Sequence, residues 1–155
     1  MADNSDPRHK LATYANTTGE GNSSPELATF YDSEPQESEN GTKSWYVRGQ
    51  NFVLVMTEAA PGATLTRQGQ VDEYVVILEH EGTAADVTWD GQQESIPGYS
   101  IVMIPPGDSS VHLPNGGRVT RLFTSQSDDL VAKCPNAASY LTPKPHVAPY
   151  IAWPD

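Results

Sequence analysis

The chain has 155 residues and carries 20 Asp and Glu against 9 Lys and Arg, a formal net charge of -11. That length supports one domain whose core needs no disulfide or structural metal. The acidity argues against nucleic acid and anionic lipid, whose recognition needs clustered Lys and Arg. Cys134 is the single cysteine, so no intramolecular disulfide forms.

Residues 1–43 read as a polar, acidic arm in which only Leu11, Tyr14, Leu27, Phe30 and Tyr31 are large and apolar. Alone, such a segment cannot bury enough surface to offset its ordering entropy. It is either a free arm or a strap held by those few anchors. From Trp45 the character changes: short runs rich in Val, Ile, Tyr, Phe and Thr alternate with turns, and no helical period is sustained. The pattern predicts strands near 45–49, 52–59, 63–68, 73–80, 84–89, 92–96, 100–104, 110–113 and 117–125. Trp89-Asp90-Gly91-Gln92 is the clearest hairpin, because Asp-Gly supplies the positive backbone angles of a type I′ turn. Many short strands at close spacing predict an all-β sandwich or barrel over 44–126.

Tyr74-Val-Val-Ile-Leu78 is apolar throughout, which suits a strand covered on both faces, the outer one a candidate dimer interface. Residues 127–155 form a C-terminal extension. Asp128-Asp-Leu-Val-Ala-Lys133 predicts a short helix with two aspartates at its positive end. From Pro143 to Asp155 the chain is proline-rich, either an extended segment that docks or a linker to a further domain. The first residues lack a basic n-region and an apolar h-region, and no apolar run reaches the ~20 residues that span a bilayer. A cytoplasmic location and no membrane partner are the resulting expectations.

Two stretches carry a resemblance. Gly62-Ala-Thr-Leu-Thr-Arg-Gln68-Gly-Gln70-Val-Asp-Glu73 leads into the apolar strand, and Gly98-Tyr-Ser-Ile-Val-Met-Ile-Pro105-Pro106-Gly107-Asp-Ser-Ser110 comes about thirty residues later. They resemble the two signatures of the cupin family, G-x5-H-x-H-x3,4-E-x6-G and G-x5-P-x-G-x2-H-x3-N, whose three His and one Glu bind a metal. The resemblance implies an all-β, double-stranded β-helix, a cupin jelly-roll barrel. The long irregular N-terminal arm and the Pro-rich tail would lie outside it.

The departures lie at the metal. Gln68, Gln70 and Ser110 stand at the histidine positions, and Glu73 is the one family ligand retained, with Asp72 as the competing choice. Six residues rather than five separate Gly98 from Pro105, so a register shift could turn His112 into the cavity. His80 replaces the glycine that closes the first signature, and Gly82 lies two residues on. Divalent transition metals favour imidazole and carboxylate, whereas glutamine and serine are weak neutral donors.

The same groups suit a polar pocket. Gln68, Gln70, Glu73, Ser110 and His112 are therefore the expected ligand-binding residues, with no catalytic residue and no cofactor. The reading is a small-molecule-binding or structural, non-catalytic cupin module. It would be a homodimer or paired with a second cupin barrel. The alternatives are a dioxygenase- or isomerase-type enzyme with a weakly bound divalent ion at Glu73, His112, Gln68 and Gln70, or the inactive half of a two-barrel enzyme. Arg67, beside the proposed pocket, could pair a ligand carboxylate or a surface acid. Cys134, followed by Pro135, lacks a nearby activating base.

Overall fold

The computed structural model describes residues 25–142. The first 24 residues of the expected arm and the proline-rich tail from Pro143 lie outside them.

Ten strands run in chain order: β1 (Glu37–Glu39), β2 (Thr42–Arg48), β3 (Phe52–Ala59), β4 (Ala63–Gln70), β5 (Tyr74–Leu78), β6 (Ala85–Trp89), β7 (Gln92–Ile96), β8 (Ser100–Ile104), β9 (Gly107–Leu113) and β10 (Gly117–Thr124). They form a six-stranded sheet, β1-β2-β3-β10-β5-β8, and a four-stranded sheet, β4-β9-β6-β7. Every pairing is antiparallel. Helix α1 (Asp128–Val131) is a single turn whose Leu130 is buried. No helix among the described residues is long and apolar enough to cross a membrane.

The predicted strands stand close to the observed ones, though β2 starts at Thr42 rather than 45, β5 ends at Leu78 rather than 80, and β1, β4 and β9 also differ. β1 was not expected, because Glu-Ser-Glu has no apolar alternation; it forms as an exposed edge, turned onto β2 by Asn40 and Gly41 at positive φ. β9 starts at Gly107 rather than 110, and β4 continues to Gln70 through an irregularity. The hairpin at Trp89–Gln92 has Asp90 at φ 43° and Gly91 at φ 71°, the predicted pair of positive angles.

Period-two alternation builds the core. Val53 and Val55 of β3, Val76 and Leu78 of β5, Val111 and Leu113 of β9, and Val119 and Phe123 of β10 all point between the sheets and are at most 2% exposed. Tyr74 joins them, stacked on Phe123 at 4.7 Å between ring centroids. Burying side chains of this size contributes roughly 1.5–3 kcal/mol each before entropy is counted.

On the outer face of β2, Trp45 is covered by the segment that precedes β1. Its indole donates to the Ser33 carbonyl (2.9 Å) and Tyr31 packs edge-on at 5.6 Å. Tyr31 donates to Glu58 and accepts from Arg118. The described part of the arm is thus tied down by an aromatic anchor. Asn136 closes the other end of β2, accepting from the Arg48 amide and donating to the Arg48 carbonyl.

Candidate functional site

The two sheets do not close along one side. Between the β1–β2 edge of the large sheet and the β4 edge of the small one lies a cleft of about 830 Å³. Ser44 and Tyr46 of β2, Leu65 and Arg67 of β4, and Arg121 of β10 line its inner part, with Leu130 and Lys133 beside the helix.

Arg121 is the unusual residue. In the cross-strand row that runs Tyr46, Val55, Arg121, Val76 and Val102, it is a cation among apolar and aromatic neighbours. It is 6% exposed, and its Nε–H has no hydrogen-bond partner among the described residues. Nη2 lies 3.5 Å from Thr57 Oγ1, the limit of a hydrogen bond, and Thr57 is already paired with Ser44 at 2.9 Å. Its guanidinium carbon lies 5.6 Å from the centroid of the Phe123 ring, while Arg67 approaches the same ring at 5.3 Å. Burial lowers the Arg121 pKa, yet guanidinium keeps its proton in proteins, so a charge remains inside.

The other cations of the cleft are paired. Arg67 donates to Asp129 Oδ2 (2.6 Å) and Oδ1 (3.2 Å), and gives Nε–H and Nη2–H to Gln70 Oε1 at 3.0 and 2.7 Å. Gln70 is 2% exposed and donates to Ser127 Oγ at 3.1 Å. This network pins the end of β4 to the start of α1. Lys133 donates to Glu37 Oε1 (2.7 Å), and the Tyr46 hydroxyl donates to Glu37 Oε2. Burial, then the bond to Glu37, push the Tyr46 phenol far above its ordinary pKa.

Two carboxylates are held below their ordinary pKa. For Glu37, burial works against the charged form, but hydrogen bonds from Lys133 and Tyr46 outweigh it. For Asp129, the hydrogen bond from Arg67 is the main cause. A depressed folded pKa adds stability that is present above the unfolded value and lost as pH falls through the folded one. The thermal midpoint is therefore expected to hold from pH 7 to about 5 and to fall below the ordinary values of 4.5 and 3.8. Both groups are partly exposed, so the effect is modest. Glu37→Gln should flatten the acid limb of a melting-temperature profile; an unchanged limb would show that this pair contributes nothing.

The expected convergence of five polar residues is corrected by the strand geometry. β4 and β9 lose register between Arg67 and Gln70, where Gly69 adopts φ 56°. This bulge breaks the alternation that would put Gln68 and Gln70 on one face. Gln70 turns inward while Gln68 is exposed. Glu73 is also exposed, one residue before the inward-facing Tyr74. On β9 the buried residues are Ser109, Val111 and Leu113, so Ser110 and His112 stand on the opposite, outer face. His112 Nδ1 lies 3.1 Å from Thr64 Oγ1 there. Ser109 takes the inward position and pairs with the Tyr74 hydroxyl at 2.9 Å.

Gln68 and Ser110 do share a surface, a groove of about 900 Å³ bordered by Trp89 and the Pro105–Gly107 turn. Its charged lining residues are Arg67, which is paired with Asp129, and Asp90 and Asp108. Among the described residues, no group of three His, Cys, Asp or Glu could hold a metal ion. The donor set does not fit the metal that the cupin signatures imply: the motif positions hold amides and a hydroxyl, and they face different sides. Cys134 is buried, its Sγ 3.4 Å from the Leu130 carbonyl, and burial pushes its thiol pKa up.

Sequence reasoning missed Arg121. The signal was there, because alternation along Val119-Thr-Arg121-Leu-Phe123 puts the arginine on the same face as two core residues.

Comparisons with solved structures place this geometry. An RmlC-like cupin from Shewanella frigidimarina NCIMB 400 superposes with a TM-score of 0.56 at 18% identity, over 68% of this chain and 96% of that one. KdgF from Halomonas sp. gives a TM-score of 0.56 at 15% identity, over 68% and 98%. No protein-family model matches the chain, and the comparison with curated proteins found no match. At such identities the likeness defines the class by its fold: this is a protein of cupin fold, two antiparallel sheets rolled into a jelly-roll barrel.

Proposed function

We propose that the chain is a non-catalytic cupin-fold module that binds a small organic ligand in the cleft between β2 and β4. The observation that carries this reading is Arg121, buried and without an ion-pair partner among the described residues, at the head of a cleft whose inner face carries Ser44 and Tyr46. Pockets of this kind bind by a few convergent polar groups set in apolar walls. Gln70 takes part by holding Arg67 and the β4 bulge in place; Gln68 and Ser110 belong to the separate outer groove.

Two measurements test it. Protein prepared without a metal-chelating tag is expected to contain Fe, Ni, Mn and Zn far below one per chain. Stoichiometric metal that disappears in Glu73→Ala would overturn the metal-free reading. Screening of small polar organic compounds by amide NMR should shift resonances of Ser44, Tyr46 and Leu65. A screen that moves only residues of the outer groove would relocate the site.

We further propose that a second copy covers the outer face of the large sheet. Val75 pairs with Met103 and Ile77 with Ile101 across β5 and β8, and all four point outward. Ile101 and Met103 are each 64% exposed, and Tyr99 is 74% exposed beside them. An apolar patch on an edge strand suits a self-pairing surface. Light scattering is expected to give a dimer at micromolar concentration, and Ile101→Glu with Met103→Glu a folded monomer. A monomeric parent chain removes this interface.

A further inference from the structure

We propose that Arg121 anchors a carboxylate subsite, so that the cleft takes a small, hydroxylated organic acid. This rests on the cleft being the binding site and adds the charge and chemistry of its occupant. A charge withdrawn from water without a partner is among the most expensive features a core can hold. Arg121 has no carboxylate within ion-pair distance, an unpartnered Nε–H and one hydrogen bond at the length limit, among the described residues. It also borders the cleft, so a molecule entering there meets the guanidinium.

The sign and size of the counter-charge come from the neighbours. Arg67 is neutralised by Asp129, and Lys133 by Glu37. Glu39, at the rim of the cleft, is exposed and screened by water. Glu37 also faces Arg121 without forming an ion pair with it and is shared with Lys133 and Tyr46, so among the described residues Arg67, Lys133 and Arg121 outnumber Asp129 and Glu37 by one charge, which a single carboxylate balances. A phosphate, at about -1.5 to -2, would overshoot it. A planar guanidinium also matches the two oxygens of a carboxylate. On its inner face, beside Arg121, the cleft presents the hydroxyls of Thr42, Ser44 and Tyr46, partners for hydroxyl groups on the rest of the ligand.

Gluconate and sorbitol form the test pair, since they differ in a carboxylate against a hydroxymethyl group. They are titrated into isotope-labelled full-length chain in a carboxylate-free buffer at constant ionic strength. Gluconate is expected to shift the Arg121 Nε–Hε resonance together with Ser44 and Tyr46, and sorbitol to leave Arg121 unmoved. Arg121→Met, with folding verified by its melting curve, should weaken gluconate binding at least tenfold, and Arg121→Lys should restore part of it. If sorbitol perturbs the cleft as gluconate does and Arg121→Met changes neither, the carboxylate inference is overturned and the cleft reading stands. If neither compound moves a cleft resonance, both are overturned.

Discussion

Gly98→Ala is expected to destabilise the chain by about 3 kcal/mol, the upper range for forced overpacking. Gly98 opens the second signature, between β7 and β8, and packs against the turn that leaves β5. A Cβ there would lie 2.2 Å from the His80 carbonyl oxygen, 2.4 Å from that of Glu81 and 2.6 Å from the Glu81 carbonyl carbon. All three are backbone atoms, and the turn is itself closed by Thr83 N–H to the His80 carbonyl at 3.0 Å. Neither side can yield without disturbing a strand end. Gly82→Ala is the control, because nothing lies within 4 Å of the added Cβ and the backbone is not left-handed. It should stay within about 0.5 kcal/mol of the parent chain. Urea unfolding of both variants measures the difference. Equal midpoints would show that the two turns separate at no cost.

Arg121→Met is expected to act in the opposite direction and stabilise the ligand-free chain by about 2 kcal/mol. Replacing buried ionic groups by apolar side chains of similar volume is often neutral or stabilising by about 1–4 kcal/mol. Here no ion pair is lost. What is given up is a 3.5 Å contact with Thr57 and a cation–ring contact with Phe123, the latter about 0.5–2 kcal/mol. Methionine is flexible enough to fill the space between Val55, Val76 and Phe123. Denaturant unfolding in carboxylate-free buffer reads the change directly. A loss of more than about 1 kcal/mol would mean that Arg121 serves the fold itself. A gain would mean that the residue is kept for something other than stability, consistent with the trade between active sites and stability.

Nine of the ten strands were legible because short runs, alternating as in β10 or apolar throughout as in β5, are set off by turns punctuated by Asp-Gly, Pro-Gly and Asn-Gly-Gly. β1 was not, since an exposed edge of Glu-Ser-Glu owes its form to pairing with β2 rather than to its own pattern. The candidate site was less legible. Alternation from Gln68 to Gln70 fails at an irregularity centred on Gly69, and nothing local announces it. On β9 the alternation did hold, but the choice of face was open until Val111 and Leu113 were seen to pack inside. That choice sends His112 outward.

The sequence by itself determined the strand rhythm and the all-β class, because residue identity and spacing carry these directly. Only the tertiary structure decided which polar groups meet. Arg67, Gln70 and Asp129 come from β4 and α1, while Tyr46, Glu37 and Lys133 come from β2, β1 and the segment after α1. The unpaired charge of Arg121 is likewise a property of the assembled barrel: an arginine lacks a partner only once the faces around it are known to be apolar.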